Sequence, residues 1–280
     1  MQEAIAKDYS PRLSPQEVSK TITSAGVAKA ATSWWQLFVL GILGGIYIAI
    51  GGHTYLIARE QGMGMIVAGA VFSVGLVLVV VAGAELFTGN VLMIVGCLHQ
   101  RFGLVHVAKN WTVVWLGNLV GGLACAYLIF QTNLLGTPDN LNALGRLAAG
   151  ISDTKMALPF GVVFLRGVFC NMLVVLAVIL ALFCKDVISK IFAIVLPITA
   201  FVAAGFEHCV ANMYLIPLGM LAKGIPVHEH WTAIHNIFPA TLGNIVGGMF
   251  IILAHPERMK KLWGRVSASL GTGGVPKSTP

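Results

Sequence analysis

The nine residues Ala82-Gly83-Ala84-Glu85-Leu86-Phe87-Thr88-Gly89-Asn90 recur without a gap as Ala204-Gly205-Phe206-Glu207-His208-Cys209-Val210-Ala211-Asn212. Both copies keep Ala-Gly, the glutamate and the asparagine. Both sit inside long apolar runs, where a carboxylate and an amide are costly unless something polar requires them. A second pair of matches follows in the same order, Leu116-Gly117-Asn118-Leu119-Val120-Gly121-Gly122 and Leu242-Gly243-Asn244-Ile245-Val246-Gly247-Gly248. The spacing is 122 residues for Glu85 and Glu207 and 126 for Asn118 and Asn244. The chain therefore reads as one unit written twice. Matching interruptions in matching helices point to a transporter or channel whose path runs through the breaks.

Composition agrees with a membrane solvent. Of the 280 residues 57% are hydrophobic and only 10% charged, which excludes an ordinary soluble domain. The net charge of +7 does not point to nucleic acid, because the basic residues collect in the tails and in alternate loops rather than along one helix face. The five cysteines lie in or beside apolar segments without CxxC spacing and read as small core residues, with no disulfide framework and no metal site. The first ~30 residues are mixed polar and lack the apolar core and cleavage site of a signal peptide.

Outward from the repeats, six apolar segments are expected at 34–57, 64–99, 108–132, 157–184, 188–222 and 236–256. A span needs about 20 residues. The second and fifth are too long for one straight crossing, and these two carry the nine-residue repeats. The domain plan is a cytoplasmic amphipathic N-terminal segment (1–33) lying at the membrane surface, a six-helix domain (34–256) built of repeats 34–132 and 157–256, and a basic cytoplasmic tail (257–280). Thirteen lysines and arginines outside the spans fall on the side of the termini, against Arg59, Arg146, Lys155 and Lys223 on the other. Both termini are therefore expected in the cytoplasm. Three spans per half make the halves an inverted 3+3 repeat, with a pseudo-twofold axis in the membrane plane.

Ionisable groups within the spans are few, and each needs a reason. His208 is the leading candidate for chemistry, since an imidazole changes charge near neutral pH and this one stands in a break where freed backbone groups converge. Glu85 and Glu207 occur at the same place in both halves, which argues for a shared bracing role, because a carboxylate beside a helix break can accept from the orphan N–H groups of the following half-helix. Asn90, Asn212, Asn118 and Asn244 can satisfy unpaired backbone at the same breaks. Thr88, at the repeat position of Val210, could meet the imidazole of His208. Lys155 precedes the fourth span and reads either as a solvated lysine or as an attractive mouth for anions. Arg166 is not assigned to the path. His228, Glu229, His230 and His235 suggest zinc at first sight, but their loose spacing favours a solvated loop.

Together these motifs resemble the formate/nitrite transporter family of pentameric anion channels, over residues 27 to 256. The likeness rests on Gly83 to Asn90, on Arg166-Gly167-Val168-Phe169-Cys170-Asn171, and on the run Phe201 to Pro217. It implies an all-α, aquaporin-like protomer of six helices, the second broken by a loop and the fifth by a kink, in a homopentamer with one pore per protomer. It also implies that His208 is the central pore histidine, with Thr88 its partner, Lys155 the outer lysine and Asn244 a residue lining the same region. Phe72, Leu76, Leu86, Phe87, Val174 and Phe201 match the apolar residues of two constrictions. Gly89-Asn90 follows Thr88 where some formate channels have Ser-Thr.

The expectation is transport of a small monovalent anion across a bacterial inner membrane. Formate comes first, with nitrite and hydrosulfide as alternatives, and His208 supplies a proton at the constriction. No cofactor and no metal are expected. A membrane-embedded enzyme using Glu85, Glu207 and His208 is disfavoured by the lack of a second buried histidine near His208, and a glycerol-type channel by the lack of paired Asn-Pro-Ala motifs.

Overall fold

The computed structural model describes residues 12–254. The expected tail 257–280, with its five basic residues and Trp263, and the first part of the N-terminal segment, including Lys7, lie outside the described residues.

The chain is helical almost throughout. Helix α1, Pro15–Ala31, opens with a capping box: Ser14 accepts from the Glu17 N–H and Glu17 accepts from the Ser14 N–H. It is followed by α2 Trp34–Glu60, α3 Met65–Gly83, α4 Phe87–Leu98 and α5 Leu104–Gln131. A two-stranded hairpin, β1 Gly136–Thr137 and β2 Asn140–Leu141, turns the chain through Pro138-Asp139. The second half repeats the series as α6 Ala143–Met156, α7 Phe160–Phe183, α8 Val187–Ala203, α9 Cys209–Ala222 and α10 Val227–Ala254. Helix α6, which has no counterpart in the sequence reading, stands in the second half where α1 stands in the first.

Among the described residues α2, α3, α5, α7 and α10 are each long and apolar enough to cross a membrane, while α4, α8 and α9 are shorter apolar helices. The two long apolar segments are therefore each divided. The divisions are alike: a glycine with positive φ, Gly83 (+89°) or Gly205 (+71°), and then three residues outside any helix, Ala84–Leu86 or Phe206–His208. Only glycine takes that conformation without a Cβ penalty. The fifth segment is thus broken as fully as the second, where a kink was expected. Before the first break α3 ends in a π-turn, Leu78–Gly83, a form that tends to mark functional sites.

Two helix crossings carry the frame, α2 on α5 and α7 on α10, and they are the most extensive contacts in the molecule. Glycines make them possible. A Cβ on Gly117 or Gly121 would meet the carbonyl oxygens of Phe38 and Ile42, and one on Gly243 or Gly247 those of Phe164 and Val168. These are small-xxx-small faces, which let helix backbones approach where lipid provides no hydrophobic drive for association. Helix α9 fills the centre: every residue from Cys209 to Met220 is buried. Tyr214 is the largest fully buried side chain, and its hydroxyl lies 2.9 Å from His53 Nδ1.

Candidate functional site

Each helix break leaves backbone groups that must be bonded inside the protein, and the two halves do this bond for bond. In the first, Asn118 Oδ1 accepts from the Phe87 N–H (2.9 Å), and its amide donates to the carbonyls of Gly41 (2.7 Å) and Glu85 (2.9 Å). In the second, Asn244 Oδ1 accepts from the Cys209 N–H (3.0 Å), and its amide donates to Gly167 (2.8 Å) and Glu207 (3.0 Å). The Glu85 N–H donates to Leu40 and the Glu207 N–H to Arg166. The sequence reading placed Asn244 on the path. Its side chain is buried, as is that of Thr88, and its hydrogen bonds go to the backbone of the break.

Both glutamates face a lysine. Lys155 Nζ donates to the two carboxylate oxygens of Glu207 at 2.9 and 3.0 Å, and Asn212 donates to Glu207 at 2.6 Å and to Asn236 at 2.6 Å. In the first half Lys29 Nζ donates to Glu85 at 2.5 and 2.6 Å, and Asn90 donates to Glu85 at 2.6 Å and to Asn110 at 2.8 Å. Lys155 is thus neither a solvated lysine nor a free cation. The carboxylates accept from lysine and asparagine side chains, whereas the sequence reading had them accepting from half-helix N–H groups. Lys29, Asn110 and Asn236 were not found from the sequence. Lys29 and Lys155 are 126 residues apart, as are Asn110 and Asn236, so the spacing of the Leu-Gly-Asn motifs would have pointed to all three.

Two cavities open at these networks. One, of about 300 Å³, is lined by Lys155, Arg59, Arg166, Glu207, His208 and Phe201 among others. The second, of about 280 Å³, is lined by Lys29, Leu76, Leu86, Gly89, Asn90 and further apolar residues. Phe72 lines the first and Leu76, one turn on along α3, lines the second. Both are buried, as are Leu86, Phe87, Val174 and Phe201. Phe72 meets Phe201 edge to face at 5.6 Å, and the Phe201 ring lies over that of His208 at 5.9 Å. Phe87 packs edge-on against Trp111.

Between these apolar walls Thr88 Oγ1 stands 3.0 Å from His208 Nε2, with both residues buried. His208 also caps α9: Nδ1 accepts from the Ala211 N–H at 3.1 Å. A nitrogen that accepts from a backbone N–H carries no proton, so the neutral ring holds its hydrogen on Nε2 and directs it at Thr88. The Thr88 carbonyl in turn accepts from Asn171, which also donates to the Asn244 carbonyl. Among the described residues there is no group of three or more His, Cys, Asp or Glu side chains that could hold a metal ion, His228, Glu229, His230 and His235 included.

A divided-helix bundle with a buried histidine between two lysine-bearing cavities defines a membrane channel or transporter. The match to the formate/nitrite transporter family model extends over residues 16–256. The chain is 39% identical to a "Probable formate transporter" of Methanothermobacter thermautotrophicus, covering 85% of this chain and 94% of that one. It is 34% identical to the "Formate channel FocA" of Escherichia coli K12, covering 86% and 92%. A solved "Pentameric formate channel with formate bound" superposes with a TM-score of 0.67 at 29% identity, over 83% of this chain and 96% of that one. The chain belongs to the formate/nitrite transporter family, and is an integral membrane protein of a family of transporters and channels rather than enzymes.

Proposed function

We propose that this chain forms a homopentamer in which each protomer conducts a small monovalent anion, formate first, past His208. The observation that carries this reading is the Thr88–His208 contact of 3.0 Å, set between buried phenylalanine and leucine side chains where the two cavities approach. The two relatives and the superposed structure are formate transporters or channels by name, which favours formate. The halves are read as an inverted repeat. With thirteen basic residues on the side of the termini, Lys155 faces outward and Lys29 faces the cytoplasm.

A bare anion does not cross the apolar walls, since moving a charge into low dielectric costs several kcal/mol even after relaxation. A neutral acid crosses. His208 in its doubly protonated form gives the Nε2 hydrogen to a carboxylate oxygen, becomes neutral, and regains a proton once the acid has passed. Loading Nδ1 displaces the Ala211 N–H from its acceptor, so the protonation cycle is tied to the first turn of α9. Formic acid has a pKa of roughly 4, so transfer requires the anion and imidazolium to meet where water is excluded.

The test is uptake by purified protein in liposomes, comparing formate, nitrite, hydrosulfide and acetate from about pH 5 to 8, with His208→Ala alongside. Formate preference and pH-dependent flux that collapses in the variant support the reading. Preference for nitrite or hydrosulfide keeps the site and changes the substrate. Wild-type pH dependence and flux in His208→Ala refute the role of the histidine.

A further inference from the structure

Two residues that depart from the repeat, His208 and Arg166, line the same cavity. His208 stands where the first half has Leu86, and Arg166 stands where it has Leu40. The second equivalence is fixed by hydrogen bonding, because the Glu207 N–H donates to Arg166 just as the Glu85 N–H donates to Leu40. Leu40 needs no charge to hold its break, so the guanidinium of Arg166 is not part of the shared frame. It is half-buried, lines the 300 Å³ cavity, and has no ion pair among the described residues.

The charges facing that cavity are Arg59, Lys155, Arg166 and Glu207, with His208 the titratable group at its inner end. Lys155 and Glu207 neutralise each other at 2.9 Å. Two guanidinium groups remain, and Arg59 is held beside the Tyr55 ring. In the other cavity Lys29 is matched by Glu85, and among the described residues no further charged side chain lines the wall. The counterpart of Arg59 is Lys185, which is exposed and lines neither cavity.

We infer that Arg166, assisted by Arg59, is the docking group for the transported anion on the His208 side, and that it selects planar anions with two oxygens. A guanidinium presents parallel N–H donors that match a carboxylate or nitrite in a bidentate pair, which an anion with a single acceptor atom, such as hydrosulfide, cannot form. Among the described residues the second cavity has no such fork, so the two mouths bind the anion unequally. A passive path creates no gradient, so tighter binding from one side is accompanied by a lower maximal rate from that side.

This inference rests on the proposed transport of formate, and the experiment separates the two. Initial formate and hydrosulfide influx is measured against concentration in right-side-out and inside-out membrane vesicles. Wild type is compared with Arg166→Gln, Arg166→Lys and Arg59→Gln, and intact pentamer is checked by size. The expected result is a half-saturating formate concentration raised roughly tenfold in Arg166→Gln from the Lys155 side only. Hydrosulfide is affected less, Arg59→Gln gives a smaller shift in the same direction, and Arg166→Lys recovers the charge without the formate preference. Equal shifts from both sides indicate a structural role and overturn the inference, as does no shift in an assembled Arg166→Gln or Arg166→Lys pentamer. Absence of anion flux in wild type overturns the transport reading itself.

Discussion

Replacing Glu207 by glutamine tests whether the Lys155–Glu207 pair holds the second break. Glu207 is 3% exposed and accepts from Lys155 at 2.9 and 3.0 Å and from Asn212 at 2.6 Å. In glutamine one of those oxygens becomes an NH₂ facing either an ammonium or an amide donor, so at least one buried donor loses its acceptor. Removing one member of a buried pair costs about 3–5 kcal/mol. Lys155→Met leaves the carboxylate with amide donors alone and falls in the same range. The double variant Lys155→Met/Glu207→Gln removes both charges together and is expected to cost about as much as either single change, which gives a coupling of about 3–5 kcal/mol. Lys29–Glu85 is wetter, with side chains 27% and 12% exposed, and its coupling is expected near 1 kcal/mol. Unfolding of the purified protein in mixed detergent micelles, run as a double-mutant cycle on each pair, measures both numbers. Additivity at Lys155–Glu207 within about 0.5 kcal/mol, or a larger coupling at Lys29–Glu85, would refute the reasoning.

Asn118→Ala and Asn244→Ala each orphan one buried N–H and two carbonyls, so each should lower stability by about 3 kcal/mol or more, read from the same unfolding assay. The two losses should match. Gly247→Ala drives a methyl group into the Val168 carbonyl, so a loss of about 1–3 kcal/mol or more is expected from backbone overpacking, with reduced yield of folded protein on size-exclusion chromatography. Outside the spans, Asp186 caps α8 by accepting from the Ser189 N–H at 2.8 Å, and this bond holds its carboxyl below the ordinary value. The stabilisation is present above the unfolded value of about 3.9 and is lost as pH falls through the lower folded value. Thermal midpoints of wild type and Asp186→Ala should therefore differ at neutral pH and converge in strong acid.

Much of the frame was legible because it is written twice. Glu85, Glu207, Asn90 and Asn212 announced the breaks, and the Leu-Gly-Asn runs announced the asparagines that span them. Asn244 was read both as a brace for the break and, by resemblance, as lining the path, because a polar residue in an apolar helix looks the same in sequence whether it faces a path or a neighbouring backbone. Lys29 was missed for a different reason. A lysine in an amphipathic surface helix is ordinarily solvated, and only the tertiary docking of α1 against the first break turns it inward. Helix α6 was hidden by the polar composition of Ala143–Met156, a stretch that reads as loop until its buried face, Gly145, Ala148, Ala149 and Ser152, is seen against α9. Arg166 was set aside because an arginine about two turns into a span can pair with a neighbouring subunit or snorkel outward.

The glycine-lined crossings of α2 with α5 and of α7 with α10 have a bearing on kinetics. Backbones seated against one another with no side chain between them have little room to slide, and each asparagine ties a crossing to the break beside it. The breaks that carry His208 and Thr88 are thereby anchored to two closely seated crossings. On the proposed proton transfer at His208, warming should change the rate chiefly through the barrier to that transfer, so an Arrhenius plot of flux is expected to stay straight up to the temperature at which the crossings themselves come apart.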